Sequence, residues 1–289
     1  MSLFDWWGPA ASSTRIPKPL ARLRTGGGVY FGEDRVMTST AFGHRIFLDA
    51  RDLSLSPVIL DTGQWQNRTT GTLLHLVRPG QTVLEVGANV GFFTLLMADR
   101  VGKAGRVHAF EANPRIHEML WQSVELNRFR DRVTTVPMAA YRSTGTVTFS
   151  QYDRYSGGSH VGTTDAEAYR KDFSDTVTTI DVPAITLDDY VARHGLTPDL
   201  IRIDAEGAEA AIFEGMAGIL AGSRPLTIVA EFCALMIESA GDDPAAFLAD
   251  VRGRGFTVRA CGVRGPQPVD TDRLLADRES VTDLVFTRR

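Results

Sequence analysis

The chain has 289 residues, of which 43% are hydrophobic and 23% charged, and its formal net charge is −4 at pH 7. These values are ordinary for a globular protein and exclude a disordered or collagen-like chain. The slightly negative net charge does not indicate a protein that binds nucleic acid or an anionic membrane. Two cysteines are too few for a disulfide framework or a four-thiolate zinc site. With neither a signal peptide nor a run of ~18 apolar residues, the sequence predicts a cytoplasmic protein.

The first 75 residues predict a small flank rather than an independent domain. Residues 1 to about 27 are rich in Pro, Ser and Thr and end in a glycine run, which is typical of a loose leader. Three short β-rich runs follow, at 29–31, 35–39 and 44–48. Two segments have helical periodicity, 54–61 and 68–78. The core of such a flank would be too small to be stable alone.

From residue 76 onward, β-rich runs alternate with helical segments. Seven strands are predicted, at 82–86, 106–110, 132–136, 199–203, 226–230, 256–260 and 284–287. Helices are predicted between them, at 90–101, 114–127, 208–221 and 243–252. This alternation predicts an α/β fold in which a mostly parallel seven-stranded sheet carries helices on both faces. We expect one domain over 76–289, with an insertion at 142–183.

A glycine-rich loop follows the first of these strands. Its spacing, E-x-G-x-x-x-G over 85–91, differs from the G-x-G-x-x-G of nicotinamide dinucleotide sites. The glycines let a ligand lie against bare backbone, and Glu85 suits a positive amine or sulfonium better than a pyrophosphate. About 20 residues later, Glu111 at the tip of the second strand can accept hydrogen bonds from a ribose diol.

S-adenosylmethionine has both features, a positive group and a ribose. The alternative is a structural turn followed by a helix-capping acid. The candidate cofactor-binding residues are Glu85, Gly87, Ala88, Asn89, Gly91, Phe92, Thr94, Glu111, Ala112, Asn113 and Asp204.

Several sequence blocks together resemble the FkbM-type S-adenosylmethionine-dependent methyltransferases. They are the glycine loop, FEANP at 110–114, LDD at 187–189, IDAEGAE at 203–209, Arg224-Pro225 and Glu231. The resemblance covers roughly 40–289, and its most specific element is the block at 203–209. It implies a Rossmann-like class I methyltransferase fold, S-adenosylmethionine as cofactor, and O-methylation of natural products, sugars or glycolipids. Ala112 departs from the family's usual FEPxP motif but leaves Glu111 in place.

Methyl transfer requires a group that positions the acceptor and removes its proton. Ligands of parallel sheets bind beyond the carboxyl ends of the strands, where Asp204, Glu206 and Glu231 follow the fourth and fifth strands. Asp204 is our first choice to face the methyl group, and Glu206 is next. His160, in a polar loop of the insertion, could reach the same edge as a base or substrate contact. The alternative for Asp204 and Glu206 is a pair of solvated loop acids. For Glu231 it is a structural hydrogen bond, and for His160 it is a position on the surface.

The expected partner is a small-molecule acceptor such as a sugar, glycolipid or polyketide hydroxyl, and not nucleic acid. The turn at 204–207 lacks the Asn/Asp-Pro-Pro-aromatic pattern of enzymes that methylate exocyclic base nitrogens. We expect no bound metal, although Asp204 and Glu231 together could hold a divalent cation. The segment 152–175 is expected to close over the acceptor as a lid. Two other functions stay open, a non-catalytic cofactor-binding module and N-methylation of another acceptor.

Overall fold

The N-terminal flank contains a small antiparallel sheet and two helices. The computed structural model describes residues 27–164, 166, 167 and 175–289, so nearly all of the predicted leader lies outside the described residues. The flank strands are β1 (Val29–Tyr30), β2 (Arg35–Ser39) and β3 (Arg45–Asp49). The flank helices are α1 (Ser56–Thr62) and α2 (Asn67–Leu76).

The first half of the large sheet follows as strands that alternate with helices. These elements are β4 (Thr82–Val86), α3 (Phe92–Val101), β5 (Arg106–Phe110), α4 (Pro114–Leu126) and β6 (Val133–Val136). The polar side chain of Asn113 accepts hydrogen bonds from the first backbone N–H groups of α4, and Pro114 occupies the first helical position. Both are signals that mark this helix start in the sequence.

The insertion folds into a second sheet of four strands. They are β7 (Ala139–Ala140), β8 (Gly145–Tyr152), β9 (His160–Val161) and β10 (Val177–Ile185), in the spatial order β7-β10-β8-β9. The sequence predicted only a short run within β8. Strand β10 was missed because Asp181 and Pro183 interrupt its β-rich pattern. This strand also crosses the predicted boundary of the insertion at 183.

The second half of the large sheet completes the chain. Its elements are α5 (Leu187–His194), β11 (Leu200–Ile203), α6 (Glu209–Glu214), α7 (Ala217–Ala221), β12 (Leu226–Phe232), α8 (Ala234–Ser239), α9 (Pro244–Gly253), β13 (Thr257–Ala260), α10 (Thr271–Ala276) and β14 (Thr282–Arg288). The seven strands lie in the order β13-β14-β12-β11-β4-β5-β6. The five from β12 to β6 are parallel, and β14 is antiparallel to both of its neighbours. The predicted Rossmann-like fold with a mostly parallel seven-stranded sheet is confirmed.

The sequence predicts one helix over 208–221, and this prediction is wrong in one respect. In the structure the segment forms two helices, α6 and α7. At the break, a Cβ on Gly215 would lie 2.1 Å from the carbonyl oxygen of Tyr141. The close approach of this backbone to the chain after β7 therefore requires glycine. Three further helices, α5, α8 and α10, are only six to eight residues long. Such lengths are too short for a clear helical period in the sequence.

The flank packs onto the large sheet domain and shares its hydrophobic core. Ile46, Ile59 and Leu73 are fully buried in the same cluster as residues of α3 and α4. The backbone N–H of Phe47 donates to Ser123 Oγ on α4 at 3.0 Å. Within the described part of the chain, none of the helices combines the length and apolar character that a membrane span requires.

Candidate active site

A cleft opens where β4, β5 and β11 end. These strands are parallel neighbours, so the loops that follow them meet at one edge of the sheet. The insertion covers the other side of the cleft with residues of β8 and β9. The lining residues that carry the argument are Gly87, Glu111, Ala112, Phe149, His160 and Asp204. Four of them, Gly87, Glu111, Ala112 and Asp204, belong to the predicted cofactor-binding set.

The glycine loop is held in a conformation that needs its glycines. Gly87 has φ 73°, and a Cβ there would lie 1.8 Å from the carbonyl oxygen of Asp204. Gly91 has φ 96° and directly precedes α3, while Asn89 between the two glycines has φ 49°. The backbone N–H of Ala88 donates to the carbonyl of Phe110 at 2.9 Å. The loop is thereby joined to both neighbouring strands and leaves bare backbone at the cleft.

Glu111 links the glycine loop to the tip of β5. Its Oε2 accepts from the Asn89 backbone N–H and its Oε1 from the Asn113 N–H, both at 2.8 Å. The residue is 8% exposed and borders the cleft. Burial raises the pKa of Glu111 to about 7, against the effect of the two N–H donors. Each carboxylate oxygen keeps a further lone pair for a ligand hydroxyl. The ribose contact stays a prediction.

Glu85, Phe92 and Thr94 lie beneath the loop rather than at its surface. Glu85 and Thr94 have no exposed area, and Thr94 Oγ1 donates to Glu85 at 2.5 Å. Phe92 is buried in the core. Burial raises the pKa of Glu85 to about 7, while Arg202 and Thr94 oppose this shift. Direct contact of Glu85, Phe92 and Thr94 with a ligand stays a prediction. In the structure these three residues are buried on the side of the glycine loop that faces the core.

Arg202, which is not among the predicted site residues, contacts both Glu85 on β4 and Asp204 after β11. It is 3% exposed on β11. One of its nitrogens lies 2.5 Å from a carboxylate oxygen of Asp204, and another lies 3.5 Å from Glu85. Its guanidinium also stacks on the ring of Phe93, 4.3 Å from the centroid. The available signal was an arginine inside the apolar strand Leu200–Ile203, because a buried charge requires a partner.

Three carboxylates converge at the ends of β11 and β12. Asp204, Glu206 and Glu231 each contribute an oxygen atom, and these three atoms lie within 4.8 Å of one another. Burial and the neighbouring carboxylates raise the pKa of both Glu206 and Glu231 well above its ordinary value. Glu209 fixes the loop between them, since its two oxygens accept the N–H groups of Ala205 at 2.9 Å and Gly207 at 3.0 Å.

His160 lies on β9 and faces the same cleft as Asp204. Its Nδ1 is 3.1 Å from the carbonyl oxygen of Gly158. Because a carbonyl only accepts, Nδ1 carries the proton and Nε2 carries the lone pair. Thr164 Oγ1 lies 3.3 Å from that Nε2. Burial lowers the pKa of His160, so the imidazole is neutral near pH 7 and can accept a proton.

Comparison with known proteins agrees with the predicted family. The model of the methyltransferase FkbM domain matches residues 85–258, more than half of the chain. Two curated relatives are protein-L-isoaspartate O-methyltransferases. The one from Methanothrix thermoacetophila is 34% identical over 83 residues, and the one from Aeropyrum pernix is 37% identical over 68 residues. The match to the first relative covers 28% of this chain and 37% of the relative, and the match to the second covers 23% and 26%. The chain therefore spans well under half the length of either relative.

Similar solved structures include an O-methyltransferase from Bacillus cereus in complex with SAH, at 15% identity and a TM-score of 0.42. That match covers 77% of this chain and 80% of the other. Fibrillarin from Aeropyrum pernix, with natively bound S-adenosyl-L-methionine, has 14% identity and a TM-score of 0.42. It covers 92% of this chain and 99% of its own. On the match to residues 85–258, the chain belongs to the FkbM family of methyltransferases.

Proposed function

We propose that the protein is an S-adenosylmethionine-dependent O-methyltransferase that acts on a hydroxyl of a small molecule, sugar or natural product. The observation that carries this proposal is a single cleft that brings together the glycine loop, Glu111, Asp204 and His160. Methyl transfer is the activity for which its family is named. We place the reaction in the cytoplasm, where Cys233 and Cys261, both free and buried, would stay reduced.

The cofactor end of the cleft is the edge formed by Gly87 and Glu111. The bare backbone of the loop allows a ligand to approach closely, and Glu111 would accept hydrogen bonds from the ribose hydroxyls. The carboxylate of Asp204 next to the loop favours a positive sulfonium over a phosphate. When bound, S-adenosylmethionine supplies a methyl group that is already activated for displacement.

The acceptor end of the cleft contains His160 and Asp204. As the acceptor oxygen forms its bond to the methyl carbon, its proton passes to Nε2 of His160. S-adenosylmethionine held by Gly87 and Glu111 would supply the methyl group, and its sulfur would keep the electron pair of the broken carbon–sulfur bond. The hydrogen bond from Nδ1 to Gly158 would stabilise the imidazolium that forms. Asp204 would orient the acceptor hydroxyl, since Arg202 holds its carboxylate in place.

A second candidate is N-methylation of an amine. The observation in its favour is the cluster of Asp204, Glu206 and Glu231, because three carboxylates would attract a cationic acceptor. An amine must lose its proton before it can attack the methyl carbon, so His160 would have the same role. The two candidates differ only in the acceptor atom.

Calorimetry and product analysis test these proposals in order. S-adenosylmethionine should bind to the purified protein, whereas NAD should not. A panel of sugars, polyketide alcohols and primary amines is then incubated with protein and cofactor, and S-adenosylhomocysteine is measured by chromatography. Transfer to a hydroxyl supports O-methylation, and transfer to amines alone supports the second candidate. Cofactor binding without transfer to any acceptor would support a non-catalytic module.

A further inference from the structure

We infer that Asp204, Glu206 and Glu231 form a binding site for a divalent cation such as Mg²⁺ or Mn²⁺ next to the cleft, which Asp204 lines. The sequence predicts no bound metal but leaves Asp204 and Glu231 as a possible pair of cation ligands, and the structure adds Glu206 to them. The inference deepens the proposed function. A catalytic role of the cation rests on that function, whereas cation binding itself does not.

The spacing of the three carboxylates fits a shared cation. Two oxygens that bind one cation at about 2.1–2.4 Å lie at most about 4.2–4.8 Å apart. The ligand oxygens of Asp204, Glu206 and Glu231 lie within 4.8 Å of one another. Glu206 reaches this position through a left-handed backbone with φ 51°, followed by Gly207 with φ 98°. The loop after β11 therefore turns sharply beside the end of β12.

Glu231 provides a second observation that points to a ligand. It is 7% exposed on β12, and its carboxylate is directed into the cluster. Its side chain has neither a hydrogen bond nor an ion pair within the described residues. Glu209 nearby differs, because both of its oxygens accept backbone N–H groups. A largely buried carboxylate without an ion pair is unfavourable, and a bound cation would offset part of that cost.

The charge balance around the cluster is incomplete without a cation. Arg202 forms ion pairs with Asp204 at 2.5 Å and with Glu85 at 3.5 Å. Within the described part of the chain, Glu206 and Glu231 form no ion pair with any arginine, lysine or histidine. Arg202 thus compensates the carboxylates on its own side, and two neighbouring acids stay uncompensated. A divalent cation supplies the charge that these two acids lack.

The donor atoms also select the type of cation. All three are carboxylate oxygens, which suit Mg²⁺, Mn²⁺ or Ca²⁺, whereas zinc and copper favour nitrogen and sulfur. With one oxygen from each residue, three of six octahedral positions would stay available for water or for acceptor oxygens. Because Asp204 lines the cleft, an acceptor hydroxyl could reach such a cation. A vicinal diol, common in sugars, could occupy two of the positions.

Mn²⁺ titration of the full chain, followed by electron paramagnetic resonance, tests the site without cofactor or acceptor. The protein is first treated with EDTA and then desalted. We expect one Mn²⁺ per wild-type chain and at least ten-fold weaker binding for Glu206→Gln and for Glu231→Gln. The matched control is Glu214→Gln on α6, whose side chain is 57% exposed and pairs with Arg142. This control should bind Mn²⁺ as the wild type does.

A wild type without saturable Mn²⁺ binding would overturn the inference, and so would Gln variants that bind Mn²⁺ as tightly as the wild type. Thermal unfolding in EDTA and S-adenosylmethionine calorimetry establish that both variants are folded. In a second measurement, Fe²⁺ and ascorbate replace Mn²⁺. We expect oxidative backbone cleavage near 204–206 and 231, and cleavage only elsewhere would also overturn the site. Methyl transfer without metal binding refutes the site alone, whereas Mn²⁺ binding without methyl transfer refutes the proposed function alone.

Discussion

The backbone of Gly87 packs directly against the carbonyl group of Asp204, with no room for a Cβ between them. The end of β4 and the end of β11 are therefore in van der Waals contact at the floor of the cleft. One of these segments belongs to the predicted cofactor loop and the other to the acidic cluster. The proposed cofactor end and the proposed acceptor end of the cleft are therefore in direct contact.

We expect Gly87→Ala to lower the free energy of unfolding by about 2–5 kcal/mol. A left-handed non-glycine residue costs about 1–2 kcal/mol, and overpacking a close contact costs about 1–3 kcal/mol. Gly195→Ala is a matched control, because Gly195 has the left-handed φ of 60° and ψ of 36° but open space around it. The control should lose only the backbone contribution of about 1–2 kcal/mol. Urea denaturation measures both, and equal losses for the two variants would refute the close contact.

Removal of Arg202 should destabilise the protein through the charges it leaves behind. We expect Arg202→Met to cost about 3–5 kcal/mol, because Glu85 would lose its buried partner and Asp204 its ion pair. The double variant Arg202→Met/Glu85→Gln should recover part of this loss. A double-mutant cycle by urea denaturation measures the coupling. Strictly additive losses would show that Arg202 does not compensate Glu85.

Asp52 should anchor the insertion to the flank. Its Oδ1 accepts from the backbone N–H of Ser156 at 3.1 Å, and its Oδ2 accepts from those of Leu55 and Ser56 at 2.9 and 2.8 Å. We expect Asp52→Ala to increase amide hydrogen exchange at 156–161 and raise the KM for the acceptor, while the large sheet stays protected. Unchanged exchange there would contradict this role. The predicted lid at 152–175 lies partly outside the described residues.

Acid should destabilise the protein through His108. Its Nδ1 lies 2.8 Å from the hydroxyl of Tyr190, and burial lowers the pKa of His108 to about 4. An unfolded histidine has a pKa of about 6.5, so between these values the unfolded chain binds more protons and stability falls as pH falls. From pH 7 to 5, His108→Asn should lose about 1–2 kcal/mol less than the wild type.

Urea denaturation at pH 7 and at pH 5 measures the loss of stability of each protein. The difference between the two losses excludes the contributions of titrating groups that both proteins share. The exposed His75 supplies the control variant, His75→Asn. An equal loss of stability in wild type and His108→Asn between pH 7 and 5 would show that His108 does not cause the acid sensitivity.

The sequence predicted the fold well because the parallel strands are apolar runs with clear boundaries. Strand β10 and the break at Gly215 were missed because contacts distant in sequence determine them: β10 pairs with β8, and Gly215 meets Tyr141. The candidate acids could be proposed from the sequence because they follow strands that end at one edge. Which of them has an ion-pair partner was not predictable, since Arg202 pairs with Asp204 but not with Glu231.

His160 is the residue whose replacement should separate chemistry from binding. If its Nε2 accepts the acceptor proton, His160→Gln should lower kcat by about 10²–10⁴-fold with little change in S-adenosylmethionine affinity. Because the neutral imidazole is the active form and burial lowers its pKa, wild-type activity should persist below pH 6.5 and fall at lower pH. The variant should lose this acidic limb of the pH profile, whereas His75→Asn should keep it. Turnover of the variant within a few-fold of the wild type would assign the proton to another group.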